Sequence, residues 1–332
     1  MRRDGPLAYL TLNRPAKRNA VNDALIEALR RFFSDVPDGV RAVVLSGNGG
    51  HFCSGLDLSE QVERAPHEVM RHSRNWHAVM GLIQFSGVPV IASMNGAVMG
   101  GGLEIASACH VRVAEESTLF RMPEGQRGIF VGGGATVRVG AIIGADRLTE
   151  MMLTGRTYSA EEGYRLGLAH YLAPAGEGLA KAVDLALQVA QNSSAVNYLI
   201  IQSIARISNM SAEDGLYAES LAAALSQTGP DAEEGLKAFL EKRKPRSRIA
   251  CRLISLGLCK PRNISFYAPG RRDDHRALGG DCEHGRNQTG PGGVRACQIC
   301  RHCRRRGVNR DRHHHRAERY RPRVHLGRAR QH

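Results

Sequence analysis

Cysteine is scarce where a folded body is expected: of the 8 cysteines in the 332 residues, only Cys53 and Cys109 lie before residue 245. Two thiols give no disulfide framework and fit a reducing compartment. Aromatic residues make up 5% of the chain, with a single tryptophan, so no aromatic-rich binding surface stands out. Long apolar runs are missing too. The longest apolar region, Val88 to Ala108, is interrupted by Asn95, by glycines and by Glu104, which excludes an ordinary membrane-spanning helix. The start of the chain shows no signal-peptide pattern, because Leu7 to Leu12 is short and Arg14 and Lys17 follow at once. The expectation is a soluble, cytoplasmic protein with no membrane partner.

A balance of charge is also missing, but only from one end. Residues 1–244 hold 24 Lys and Arg against 26 Asp and Glu, a net of −2, whereas residues 245–332 hold 22 against 6, a net of +16. That tail contains 21 Arg but one Lys, 8 His and 6 Cys, without helical or strand periodicity, and reads as disordered. Two readings of it stand side by side. Cys297, Cys300 and Cys303 with His302, Cys282 and His284 are zinc-ligand types, and the arginines suit nucleic acid. Against this, three cysteines crowd into seven positions, no aromatic finger core accompanies them, and an Arg bias without Lys looks like a frameshifted or read-through extension. The second reading is preferred, so no metal site and no nucleic-acid partner are expected.

What is present is glycine at selected places. Asn95 to Ala106 reads as an apolar strand entering a helix through Gly100-Gly101-Gly102, with Glu104 in the first helical turn. Glycines at such a turn let another group approach the backbone, and the first helical N–H groups are unpaired, which suits a developing negative charge. A second acid, Glu124, follows in Phe120-Arg121-Met122-Pro123-Glu124-Gly125. A third segment, His51-Phe52-Cys53-Ser54-Gly55-Leu56-Asp57-Leu58, follows the strand Arg41 to Ser46. A fourth, Asn13-Arg14-Pro15-Ala16-Lys17-Arg18-Asn19-Ala20, follows the first strand.

Strands are expected at Ala8 to Leu12, Arg41 to Ser46, Val88 to Met94, Val111 to Ala114 and Thr118 to Phe120. Between them, Asn22 to Phe33 and Pro66 to Gln84 are amphipathic helices, with Asn22 as N-cap and Pro66 in a first turn. After Gly132-Gly133-Gly134 the pattern becomes almost wholly helical, with candidate helices from Ala135 to Lys242. The fold class is therefore α/β, with helices taking over in the second half.

These four segments, in this order and spacing, resemble the crotonase, or enoyl-CoA hydratase/isomerase, superfamily over residues 7 to about 244. The resemblance implies a spiral core of ββα/βαβ turns over residues 1–190, holding an acyl-CoA site. It further implies a C-terminal helical region over 191–244 that builds trimers or dimers of trimers. It implies hydration of a 2-enoyl-CoA thioester with no cofactor beyond the coenzyme A of the substrate. Carried over by position, the oxyanion hole is made by the N–H groups of Leu56 and Gly101, and the catalytic pair is Glu104 and Glu124. Lys17, Arg18, Ser54, Gly55, Leu56, Asp57, Leu58 and Gly100 match the CoA and substrate side.

Some positions depart from the family's pattern. Val131 stands where proline is usual, Met122 replaces a polar neighbour of the second glutamate, and Ser59 follows where lysine or another polar group is common. Leu56 replaces a smaller residue. Gly132 occupies the place, eight residues past Glu124, where relatives that isomerise dienoyl-CoA, hydrolyse or dehalogenate carry aspartate. Enoyl-CoA isomerisation and hydration followed by retro-aldol cleavage of a bulkier acyl-CoA remain alternatives. A different class is a non-catalytic RNA-binding protein that uses the basic tail. Asp57 is read as a turn residue, Cys53 as a small buried residue, and Trp76, Tyr158 and Tyr217 as core or oligomer contacts.

Overall fold

A computed structural model describes residues 1–60, 63–243 and Pro245. The nine strands among these residues are β1 (Arg2–Asp4), β2 (Leu7–Leu12), β3 (Ala42–Gly47), β4 (Val90–Met94), β5 (Ala97–Met99), β6 (Val111–Glu115), β7 (Leu119–Arg121), β8 (Thr157–Ser159) and β9 (Tyr171–Ala173). The helices are α1 (Asp23–Ser34), α2 (Pro66–Gln84), α3 (Gly101–Ala108), α4 (Ala135–Ile143), α5 (Ala145–Thr154), α6 (Ala160–Arg165), α7 (Gly178–Val189), α8 (Ser194–Ile207), α9 (Ala212–Gln227) and α10 (Pro230–Leu240).

The larger sheet has the order β1-β2-β3-β4-β6-β9, and β2 through β9 in it run parallel. Parallel sheets are buried on both faces, and β3 shows it. Val43 and Leu45 face one cluster with α2 and α3 residues such as Met80 and Leu103, while Ala42 and Val44 join Ala182, Leu185 and Ala186 of α7. All four β3 residues are fully buried.

The smaller sheet, β5-β7-β8, explains how the site is assembled. Only Asn95 and Gly96 separate β4 from β5, and residues 116–118 separate β6 from β7, so successive turns leave a strand in each sheet before entering helix. After β3 the same path is marked by single parallel bridges, Cys53 to Val98 and Leu56 to Val21. The turns stack as a spiral, and their glycine-rich corners fall one above another.

Local chemistry sets the element ends. Asn22 caps α1 by accepting from Leu25 N at 3.1 Å, and Pro66 opens α2. The observed strands and helices lie within about two residues of the expected ones. Expected as almost wholly helical, the part after Gly134 nevertheless contains β8 and β9, each three residues long and too short to show a period of two. β1 is a further short strand not foreseen. Among the described residues no helix is long and apolar enough to cross a membrane. The proposed zinc ligands and the expected disorder of the tail lie outside the described residues.

Candidate active site

Two corners of the spiral meet through Cys53. Its N–H donates to Ala97 O at 2.9 Å and its carbonyl accepts from Met99 N at 3.0 Å, which fixes the register of the 53–56 turn against the β5–α3 turn. Contact is close: a Cβ built at Gly55 would lie 3.4 Å from Gly101 N, and one at Gly101 would lie 3.5 Å from Leu56 N. The N–H groups of Leu56 and Gly101 thus share one small region, and neither donates a hydrogen bond among the described residues. For Gly101 this follows from its place at the start of α3, where a helix has no acceptor to offer.

Glu104, 4% exposed, sits one turn into α3. Its Oε1 accepts from Gly133 N at 2.7 Å and Ala135 N at 3.1 Å, which places the carboxylate at the N-terminus of α4. Burial pushes its pKa up, opposed by those two N–H donors and by the Arg138 guanidinium. Arg138 is itself held by Gln84 Oε1 at 2.8 Å.

Glu124, 8% exposed, follows β7 on the loop entered through Pro123. It lies against Gly100, whose φ of +49° and missing side chain both matter: a Cβ there would come 2.5 Å from Glu124 Oε1. Oε2 of Glu124 is buried without a hydrogen-bond partner. Burial, reinforced by the charge of Glu104, raises its pKa to about 7. The two carboxyl groups are therefore electrostatic neighbours with different surroundings, one held by two N–H donors at the start of α4 and one with a buried oxygen left without a partner.

Trp76 of α2 closes one side. Its ring lies 2.9 Å from a Cβ built at Gly101 and 3.1 Å from one built at Gly133, and at 4% exposure it belongs to the core while also walling the site. Cys53 is fully buried and its thiol is pushed up to about 12 by burial, so it is no nucleophile.

The remaining candidate residues gather on a neighbouring rim. Lys17 Nζ donates to Ser59 Oγ at 3.0 Å, Ser54 N donates to Arg18 O at 3.0 Å, and Ser54 Oγ donates to Lys17 O at 3.2 Å. Arg18 is exposed with φ +49°, and Leu58 is also exposed. Asp57 accepts from Ser59 Oγ at 2.6 Å and Ser59 N at 3.1 Å and pairs with Arg14 at 2.9 Å. The Ser59 hydroxyl above all, with Arg14, holds its carboxyl down at about 2, so Asp57 serves the turn as an ion.

A family model for enoyl-CoA hydratase/isomerase matches residues 2–248. The chain belongs to the enoyl-CoA hydratase/isomerase family. A solved structure of a candidate enoyl-CoA hydratase from Rhodopseudomonas palustris is 48% identical, with a TM-score of 0.70, covering 72% of this chain and 93% of that one. An enoyl-CoA hydratase from Bacillus anthracis is 32% identical, with a TM-score of 0.69, over 73% of this chain and 95% of that one. The 2,3-dehydroadipyl-CoA hydratase of Escherichia coli is 32% identical over 238 residues, 71% of this chain and 92% of that protein. The fold is the crotonase fold of these relatives.

Within this family member, sequence reasoning passed over three residues that hold the site's framework. Asn19 is fully buried; its Oδ1 accepts from Arg14 N at 2.8 Å and its Nδ2 donates to Asn48 O at 2.9 Å and His51 O at 2.7 Å, tying three segments. Arg14 pairs with Asp57 and Glu60, and Arg138 stands by Glu104. A hint was available for Asn19, since asparagine tolerates the left-handed φ of +56° it adopts.

Proposed function

We propose that the protein hydrates a 2-enoyl-CoA thioester to the 3-hydroxyacyl-CoA. The observation that carries this reading is the convergence of two unpaired backbone N–H groups, Leu56 and Gly101, with two buried carboxyl groups of unlike surroundings. The thioester oxygen accepts from both N–H groups, which stabilise the negative charge that develops on it as water adds at Cβ. Glu104, whose ionised form is favoured by two N–H donors, takes one proton from the water. Glu124, with one buried oxygen unpartnered and the charge of Glu104 beside it, is the neutral partner and delivers its proton to Cα. Return of the proton from Glu104 to Glu124 through solvent resets the pair, and one water has been added across the double bond. The relatives named as hydratases support this choice, as does Gly132, which places no third carboxylate at the site.

The test is loss of the conjugated thioester absorbance of crotonyl-CoA, with the product identified by mass spectrometry. Glu104→Gln and Glu124→Gln are each expected to lower kcat by about 100- to 10,000-fold, the usual range for a general acid or base. A shifted double bond without added water would instead establish isomerisation, and unchanged turnover in both variants would remove the glutamates from the mechanism.

A further inference from the structure

Arg138 stands one turn into α4 and takes no part in the proposed reaction, yet its side chain folds back over the loop that holds Glu104. Its Nε donates to Gln84 Oε1 at 2.8 Å and its Nη1 to Gly133 O at 3.4 Å. The N–H of the same Gly133 donates to Glu104 Oε1 at 2.7 Å. One residue therefore has the guanidinium on its carbonyl and the carboxylate on its amide. The fit leaves no room for side chains: a Cβ at Gly133 would lie 2.5 Å from Glu104 Oε2, and one at Gly134 would collide with Arg138 Nη1.

Gln84, the last residue of α2, is tied to the other end of α3 as well. His110, just past α3, meets Gln84 O through Nε2 at 2.9 Å, while its Nδ1 accepts from Val90 N at 2.9 Å. An accepting Nδ1 leaves the proton on Nε2, so the neutral ring donates to Gln84 O. Both ends of α3 thus hang on Gln84, one through His110 and one through Glu104, Gly133 and Arg138. The titratable and charged groups acting on this corner are Glu124 after β7, His77 and Arg74 on α2, His110 after α3 and Arg138 on α4. Burial above all lowers the pKa of both histidines, which are therefore neutral near pH 7, whereas Arg138 is a permanent cation and opposes the effect of burial on Glu104.

We infer that Arg138, anchored by Gln84, is a positioning residue for the base: it holds the Gly133 amide against Glu104 and keeps that carboxylate charged and ready to accept a proton from water. This inference rests on the reading of Glu104 as the base. A base must be ionised at the start of every turnover, and burial alone favours the neutral acid. An opposite charge close by lowers a carboxyl pKa by about one to three pH units, and Arg138, acting across a peptide rather than in direct contact, belongs at the low end.

The test compares the full chain with Arg138→Gln and Arg138→Met, which remove the charge, and with Arg138→Lys, which restores it. Circular dichroism checks folding, and either neutral variant suffices. In the pH profile of kcat/KM for crotonyl-CoA, the acid-side limb set by Glu104 is expected to move up by about one pH unit in the neutral variants, and Arg138→Lys to recover most of that displacement. A lower kcat in a folded neutral variant with the limb unmoved gives Arg138 a structural role alone and overturns the inference. Equal displacement in Arg138→Lys and the neutral variants removes the charge from the account and overturns it too. A reading independent of turnover is the protonated-carboxyl infrared band that Glu104→Gln lacks, followed with pH in the parent and the neutral variants. A midpoint raised in the neutral variants of a protein that hydrates no enoyl-CoA would sink the hydratase reading and keep Arg138 as the holder of the Glu104 charge. An unmoved midpoint overturns the inference whatever the activity.

Discussion

Glu104 and Glu124 carry the same side chain, and their surroundings separate them. Burial raises the pKa of both; at Glu104 two N–H donors and Arg138 oppose that rise, whereas Glu124 keeps a buried oxygen without a partner and is raised to about 7. In the proposed reaction the acid must be protonated, so kcat/KM is expected to fall as pH rises through about 7. A pH profile with crotonyl-CoA checks this, and the residual activity of Glu124→Gln should lack that limb. A profile that instead loses activity on the acid side of 7 would make Glu124 the base. That each glutamate stands beside a glycine turn was legible in the sequence. The surroundings that distinguish them were not, since the partners of Glu104 are backbone groups 29 and 31 residues away.

At the scale of elements, long β-branched runs and capped helices were readable, and short edge pieces were not. β9 is an example: three residues gain a place in the sheet only by pairing with β6, which sequence periodicity cannot show. The junction beside it has a titration of its own. Arg112 of β6 donates to Leu168 O at 2.9 Å and Cys109 O at 3.1 Å, and its N–H donates to His170 Nδ1 at 3.0 Å. His110 Nδ1 likewise accepts from Val90 N at 2.9 Å. Burial and the Arg112 charge lower the pKa of His170 to about 4, and burial above all lowers that of His110. Between that value and the ordinary 6.5 the unfolded chain binds protons that the folded chain refuses, so this part of the stability is present above pH 6.5 and is lost as pH falls. Glu124 works in the opposite sense over the same range, because its folded pKa is the higher one. The diagnostic is therefore a difference. His170→Asn, which keeps an acceptor for the Arg112 N–H, is expected to lose less Tm between pH 7.5 and pH 5 than the parent. An equal or larger loss in the variant would remove His170 from the acid response.

For the molecule as a whole, charge and kinship divide the chain at the same place. Residues 1–244 are nearly neutral, the net of +16 lies beyond them, and the family match ends at residue 248. Relatives that are covered over 92% to 95% of their own length leave more than a quarter of this chain unmatched. Every group used in the proposed reaction lies between Leu56 and Glu124, on corners fixed by two buried clusters whose residues all precede Gln191. The exposed apolar residues Leu216, Tyr217, Leu221 and Leu225 on α9 are the kind of surface that further copies of the chain would cover, and they too precede the basic segment. Removal of everything after Lys244 is thus expected to leave kcat/KM for enoyl-CoA hydration within about twofold and to leave the mass measured by light scattering a same-number multiple of the chain. The same truncation should abolish salt-sensitive retention on a polyanion column, because the remaining chain carries a net of −2. A large loss of turnover together with a smaller assembly would show instead that the basic segment takes part in the association on which the site depends.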